Sequence, residues 1–108
     1  MSAVLDWDEC RVDWRAWEIA GAVWSFCRDE SRVAVDSTMA AAFLEEYERA
    51  GGVATAAERA TFELLMRAAR LWEALYVLGE IQRGVGADWE YFEMNVLAMD
   101  RLRGLEIG

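Results

Sequence analysis

Residues 3–27 read AVLDWDECRVDWRAWEIAGAVWSFC, a short apolar run that leads through an acidic pair into a tryptophan-rich segment. If the run around Val4 is extended, successive side chains point to opposite faces of the strand. Asp6 and Asp8 then share one face, and the apolar residues beside them share the other. The stretch therefore predicts a short N-terminal strand with one acidic face and one packed face.

Asp6 and Asp8 are the candidate metal ligands of this chain. Two carboxylates held close together repel each other unless a cation lies between them or water screens them. Mg²⁺ accepts one or two carboxylates and takes its other ligands from water and substrate phosphates. Asp-x-Asp is also common in solvated surface turns, and the spacing alone leaves both interpretations open.

A helix is predicted to follow the strand, over residues 14–28, with Asp13 as its N-terminal cap. Apolar residues recur at helical spacing on more than one stripe, so this helix is expected to lie centrally, with its tryptophans in the core. Gly21 in its middle costs about 1 kcal/mol relative to alanine. A neighbouring backbone that approaches closely at Gly21 would explain that choice.

Three further helices are predicted, each beginning at a capping residue. Asp36 or Ser37 caps the first of them, and Asp88 caps the last. Thr55 and Glu58 have the spacing of a capping box, in which hydroxyl and carboxylate each bind an exposed backbone N–H. The expected ranges are about 37–50, 56–82 and 89–103, with a frayed tail after them. The fold class is therefore all-α, with four helices and at most one short strand.

Charged residues on these helices suggest local pairs. Glu45 and Arg49, and likewise Glu63 and Arg67, are four residues apart in the favourable order on a helix. Arg67 and Arg70 could bind an anion, but their helical surroundings favour a solvated face. The chain as a whole carries 20 acidic and 11 basic residues, for a net charge of −9.

Composition restricts the class of protein. A chain of 108 residues forms one domain at most, here residues 1–108. An acidic chain without a basic stripe repels phosphate backbones, so nucleic acid is not an expected partner. No apolar run is long enough to span a bilayer, and the N-terminus lacks a signal-peptide pattern, so a cytoplasmic location is expected. The two cysteines lack metal-ligand spacing, and Cys27 is most simply a buried thiol.

The chain is rich in apolar residues for a small domain. They make up 56% of the sequence, and six are tryptophan. A chain of this size cannot bury all of that surface, so some is expected to remain for a partner. That partner is expected to be a second copy of the chain or a missing part of a larger protein.

The stretch VLDWDECR…WEIAGAVWSFC resembles the C-terminal lobe of the aminoglycoside phosphotransferase, homoserine kinase and choline kinase-like family, which has a protein-kinase-like fold. Asp6 matches the metal-binding aspartate in the family's Ile-Asp-Phe or Ile-Asp-Trp motif. Glu18-Ile19-Ala20 matches its Asp-Leu-Ala motif, with Glu in place of Asp. Phe43-Leu44-Glu45-Glu46-Tyr47 resembles its Phe-Leu-x-x-Tyr helix. The resemblance implies ATP-dependent phosphotransfer to a small molecule, with Mg²⁺ and ATP as cofactors and Asp6 and Asp8 near the metal.

The departures from the family pattern are as informative as the matches. The family places a His-Gly-Asp catalytic loop before the metal aspartate, whereas this chain begins just before that aspartate and contains no histidine. It also contains no lysine, so the residue that grips the nucleotide phosphates in the family has no counterpart. Phosphoryl transfer depends on several such parts acting together. The resemblance therefore implies a C-terminal-lobe fragment that lacks the N-terminal lobe and is inactive alone.

A second function remains open from the residues themselves. The chain could be a standalone helical module whose leftover apolar surface forms a homodimer or docks another protein. In that interpretation Asp6 and Asp8 are inert surface acids. Whether the chain is part of an enzyme is thus not decided by the sequence.

Overall fold

The computed structural model describes the backbone of residues 3–86 and 88–107 and the side chains of residues 14–86 and 88–107. Within those ranges the protein is all-α, as predicted, and it contains no β-strand. Its helices are α1 (Ala3–Phe26), α2 (Ser37–Arg49), α3 (Ala56–Arg59), α4 (Phe62–Gln82) and α5 (Trp89–Arg101). None of the helices described in these ranges is both long and apolar enough to cross a lipid bilayer.

The N-terminal segment is helical and not extended. Helix α1 begins at Ala3, so the predicted strand and the predicted helix start after Asp13 are both wrong. The backbone is helical through Asp6 and Asp8. An extended segment with no neighbouring strand would leave its N–H and C=O groups without partners, whereas a helix pairs them internally. The part of the chain that the structure describes offers no strand for pairing.

The helix predicted over residues 56–82 is divided into two at Ala60 and Thr61. The backbone N–H and the hydroxyl of Thr61 both donate to the carbonyl oxygen of Glu58, at 3.0 and 2.6 Å. In a continuous helix that carbonyl would accept from the N–H of Phe62. The side chain of Thr61 therefore competes with the helical ladder, and α4 begins anew at Phe62.

The helix starts predicted at Asp36, Thr55 and Asp88 are confirmed. The side chains of Asp36 and Asp88 each accept a hydrogen bond from the backbone N–H three residues on, at 3.0 and 2.9 Å. Thr55 and Glu58 form the reciprocal capping box, with bonds of 3.1 and 2.9 Å. These caps satisfy N–H groups that have no partner inside the helix.

The core lies where α4 packs against both α1 and α5. Helix α2 closes it with Ala40 and Leu44, both fully buried. The buried cluster consists of Ile19, Ala20, Val23, Trp24, Cys27, Val33, Ala40, Leu44, Ala54, Phe62, Met66, Ala98 and Leu102. It includes four residues of α1, which are Ile19, Ala20, Val23 and Trp24.

Most of the described tryptophans lie outside the core, which contradicts the core position predicted for Trp14 and Trp17. Trp24 is 6% exposed, but Trp72 is 71% exposed. Trp14, Trp17 and Trp89 are also exposed. A single core of this size has room for few large aromatic side chains, so much of the aromatic surface remains open to solvent.

Two glycines show opposite outcomes. Gly21 is exposed, and a Cβ at this position would meet no atom within 4 Å, so the predicted close approach by a neighbour is wrong. Gly51 has a φ of +100°, which confirms that it ends α2 in the left-handed conformation. Only the second glycine is required by the backbone of this fold.

The tail after α5 is packed where it was predicted to fray. Leu105 and Ile107 lie partly buried against the core, and the N–H of Leu105 donates to the carbonyl of Leu102 at 3.2 Å. The N–H of Gly104 donates to the carboxylate of Glu63 at the start of α4. The two apolar side chains therefore cover the end of the core next to α4.

Candidate functional site

The predicted metal ligands lie in the first turns of α1. The side chains of residues 3–13 are outside the described residues, so the metal role of Asp6 and Asp8 remains a prediction. The prediction placed both carboxylates on one face of an extended strand. Positions two residues apart on a helix do not face each other, so that geometric argument no longer applies. Among the residues whose side chains are described, no three histidine, cysteine or acidic residues come close enough to hold a metal.

Glu18, which matches the first position of the family's Asp-Leu-Ala motif, is exposed on α1. Its carboxylate accepts a hydrogen bond of 2.8 Å from the indole N–H of Trp14, one turn earlier. This contact lies within one helix and braces no other segment. Glu18 thus presents an open carboxylate on the same helix as Asp6.

A partly buried ion pair joins α1 to α3 and was not predicted. Arg15 donates from Nε to Oε2 of Glu58 at 2.7 Å and from Nη2 to Oε1 at 2.9 Å. Glu58 is 4% exposed, whereas the Arg15 side chain is 41% exposed. The bidentate geometry fixes the orientation of both side chains. It anchors α1 just beyond the segment that carries Asp6 and Asp8.

The electrostatics of this pair follow from its hydrogen bonds. The Arg15 guanidinium and the Thr55 donors lower the pKa of Glu58 to about 2, against the opposing effect of burial. The same bond raises the pKa of Arg15. Glu58 is therefore an ionised structural carboxylate and cannot act as a general acid or base near neutral pH.

An open cleft of about 440 Å³ lies beside this ion pair. Its lining residues are Ala16, Trp17, Thr55, Ala57, Glu58, Thr61 and Leu65. The indole of Trp17 and the side chain of Leu65 give it an apolar wall, and the Glu58 carboxylate is already engaged by Arg15. The cleft can hold an apolar or aromatic group, but none of its described lining residues is a free nucleophile or base.

Arg67 and Arg70, predicted to be solvated, instead connect α4 to α5. Arg67 donates from Nε to the carbonyl of Met99 at 3.0 Å, and Arg70 donates from Nη1 to Oδ1 of Asn95 at 2.9 Å. The described residues show no Glu63–Arg67 ion pair. The predicted pair of Glu45 and Arg49 on α2 is present, at 3.2 Å.

Cys27 is a free thiol and 1% exposed, as predicted. Burial raises its pKa, which keeps it protonated and poorly nucleophilic. Cys10 lies among the residues whose side chains are not described. The described thiol is thus a core residue and not a candidate catalytic group.

A model of a known protein family matches the N-terminal part of the chain. The family model for APH, the phosphotransferase enzyme family, matches residues 1–65. The matched segment contains α1, α2, α3 and the beginning of α4, together with Asp6 and Asp8. The comparison with curated proteins gave no match, and neither did the comparison with solved structures. The matched segment covers more than half of the chain's 108 residues, and the chain therefore belongs to the phosphotransferase enzyme family.

Proposed function

We propose that this chain is the C-terminal lobe of an ATP-dependent small-molecule phosphotransferase and is inactive in isolation. The family match over residues 1–65 carries the proposal, because it includes the motif with Asp6. In this proposal the described helices provide the structural support for that motif. The cleft beside Trp17 would be one wall of the space next to the transferred group.

Asp6 would hold Mg²⁺ against the phosphates of ATP. A bound magnesium ion neutralises charge that develops on the phosphates during transfer. Residues two apart on a helix point in different directions, so a helical backbone supports direct ligation by Asp6 or by Asp8, but not by both. We therefore assign the metal to Asp6 and give Asp8 at most a contact through water.

The residues present do not supply the rest of the reaction. The chain has no histidine and no lysine, and Glu58 is bound to Arg15. Phosphoryl transfer needs a base or positioning residue for the nucleophile and cations at the phosphates. Catalysis would thus require a second polypeptide segment that carries these groups. A nucleotide-binding lobe is the partner that this proposal requires.

The acceptor would be a small hydroxyl compound, and an amine-bearing one fits the charge of the chain. A net charge of −9 favours a cationic substrate through long-range attraction. A cytoplasmic location is part of the proposal, because the reaction consumes ATP from that compartment.

Titration calorimetry with Mg-ATP tests the metal site in this chain. We expect weak binding by the chain as it stands, with a Kd of about 1 mM. Asp6→Asn should abolish the heat, whereas Asp8→Asn should weaken binding only slightly. Asp100→Asn, the same substitution at an exposed position on α5, is the matched control and should bind like the unaltered chain.

The result also decides between a residual site and an inert motif. Equal heats for the Asp6→Asn variant and the unaltered chain would contradict the metal assignment. No heat from any of the four proteins would leave no role for this chain in nucleotide binding. Release of ADP by the chain alone would contradict the proposed inactivity.

An exposed apolar stripe on α4 favours a second candidate function, a helical interaction module. Leu64 is 65% exposed, and Leu71 and Leu75 are also exposed, whereas Ala68 and Leu78 on the same stripe are partly buried. We call these five residues the α4 stripe. The spacing between successive members alternates between four and three residues. This is the heptad pattern of a helix that packs against another helix. A second copy of the chain is the occupant we propose for this function.

A further inference from the structure

The open cleft beside the ion pair of Arg15 and Glu58 has the size of a small-molecule pocket. Its volume is about 440 Å³, and pockets that bind small molecules commonly measure about 300–1,000 Å³. Residues of α1, α3 and α4 line it, together with Thr55 before α3 and Thr61 after α3. We call this space the Trp17 cleft.

The apolar walls of the Trp17 cleft can be reached from solvent. Trp17 is 42% exposed, Ala57 is exposed and Leu65 is partly buried. An indole offers a wide, flat apolar surface and interacts most favourably with other aromatic rings in offset-stacked or edge-to-face contacts. A half-exposed tryptophan opposite small and aliphatic side chains therefore favours a flat aromatic ligand.

Two threonine hydroxyls give the cleft unused capacity for hydrogen bonds. Thr55 and Thr61 are both exposed, and both line the cleft. The Thr55 hydroxyl accepts from the backbone N–H of Glu58 at 3.1 Å, and the Thr61 hydroxyl donates to the carbonyl of Glu58 at 2.6 Å. Because a hydroxyl is both a donor and an acceptor, Thr55 keeps its hydrogen and Thr61 keeps a lone pair. One hydroxyl group on a ligand can accept from Thr55 and donate to Thr61.

The charges at the Trp17 cleft are balanced. Glu58 has a pKa of about 2 and is ionised, and Arg15 neutralises it through bonds of 2.7 and 2.9 Å. The other described residues that line the cleft carry no charge. A charged ligand would lose its water of hydration here without gaining an unpaired opposite charge. The cleft therefore favours an uncharged group.

We propose that the Trp17 cleft binds an uncharged aromatic ring that carries a hydroxyl group. The ring packs against Trp17 and Leu65, and its hydroxyl bonds to Thr55 and Thr61. That this ring belongs to the phosphate acceptor rests on the proposed function, whereas the binding itself does not. An amine elsewhere on the acceptor would lie outside the cleft, where the net charge of −9 attracts it.

The test is a titration with phenol, followed by the indole N–H NMR signals of the tryptophans. Phenol is uncharged at neutral pH because it ionises only at about pH 10. The Trp17 signal should shift and saturate with a Kd of about 1–10 mM. The signal of Trp72, which is 71% exposed on α4 and does not line the cleft, should show no saturable shift.

Three further compounds test the chemical class of the ligand. Benzylamine and benzoate carry a charge on a similar ring, and cyclohexanol has a hydroxyl on a ring that is not aromatic. At high salt, which screens the net charge of the chain, each should bind at least about fivefold more weakly than phenol. Equal or tighter binding of any of the three would overturn the proposed class. This series uses the unaltered chain, so it does not depend on the folding of a variant.

Substitutions inside and outside the cleft test its position. Ala57→Phe places a ring in the cleft from an exposed position on α3 and should weaken phenol binding by at least about tenfold. Ala42→Phe, the same change at an exposed position on α2, is the matched control and should bind phenol like the unaltered chain. Thr61→Ala should weaken binding by about fivefold, and Thr61→Ser, which keeps the hydroxyl, should not.

The outcome is independent of the proposed metal site. The titration contains neither nucleotide nor metal, so it can succeed if calorimetry with Mg-ATP fails, and the reverse also holds. The absence of a saturable shift of the Trp17 signal would overturn the proposal, as would unchanged phenol binding by Ala57→Phe.

Discussion

Glu58 is the residue on which the contact between α1 and α3 depends. Its carboxylate accepts two bonds from Arg15 and one from the backbone of Thr55. A buried carboxylate is unfavourable without such partners, and the folded chain supplies them. The result is a pKa of about 2, compared with an ordinary value of 4.5.

We predict that Glu58→Gln lowers the free energy of unfolding by about 1–3 kcal/mol at neutral pH. The pKa of Glu58 is lower in the folded chain, so its ionised form stabilises the fold above its unfolded value of 4.5. That contribution is lost as the pH falls from 4.5 towards 2. Urea unfolding at a series of pH values should therefore show the difference between the two proteins shrinking in this window.

The control for this prediction is Glu45→Gln, which removes an exposed ion pair with Arg49. It should change the free energy of unfolding by less than about 0.5 kcal/mol at any pH, because solvent screens that pair. The free energies of unfolding of Glu58→Gln and the unaltered chain could instead differ by a constant amount down to pH 2. That result would show that Arg15 does not lower the pKa of the Glu58 carboxylate.

Helix α1 contains one glycine, Gly21, at a position where the fold does not require glycine. Gly21 is exposed in the helix, and no atom lies within 4 Å of the place where a Cβ would be. Gly21→Ala should therefore raise the free energy of unfolding by about 0.5–1 kcal/mol, because alanine loses less backbone freedom on folding. Thermal unfolding of the isolated chain measures this change in the free energy of unfolding.

Gly51→Ala is the matched control, since the same substitution there should destabilise the chain. Gly51 has a φ of +100°, a conformation that a residue with a Cβ adopts only with strain. If Gly21→Ala were also destabilising, this side of α1 would have to pack against something, such as a second molecule. Comparison of the two substitutions thus distinguishes a glycine that the backbone conformation requires from a glycine against which a neighbour packs.

How far each element could be predicted depends on how local its cause is. The starts of α2 and α5 follow from Asp36 and Asp88, whose effect reaches three residues along the chain. The break before α4 depends on the Thr61 hydroxyl competing for one carbonyl, which apolar periodicity does not report. The start of α1 depends on whether a strand exists to pair with it, and that is a long-range condition.

The candidate sites show the same limit more strongly. Arg15 and Glu58 are 43 residues apart, and each has an ordinary local role as a helix residue or cap. The approach of Arg70 to Trp24 likewise joins α4 to α1. Spacing rules describe neighbours on one element, so contacts of this kind become visible only once the elements are packed. The family, in contrast, could be predicted from short motifs along the sequence, and the family model confirms it.

Two features of the whole molecule act against each other in solution. A net charge of −9 makes copies of the chain repel each other. The α4 stripe, in contrast, offers exposed leucines at a heptad spacing with no charge among its five residues. Burial of apolar surface contributes roughly 25 cal/mol for each Å² removed from water, so pairing of two stripes can outweigh screened repulsion.

We predict that the chain forms a concentration-dependent dimer through the α4 stripe and that added salt strengthens it, because salt screens the repulsion between two acidic copies. Sedimentation equilibrium should show the dimer in the unaltered chain. Leu71→Glu and Leu75→Glu place charges in the interface and should make the chain monomeric. Val53→Glu, at an exposed apolar position outside α4, adds the same charge and should leave the dimer in place. A monomer at every concentration and salt level would contradict the proposed pairing of two stripes.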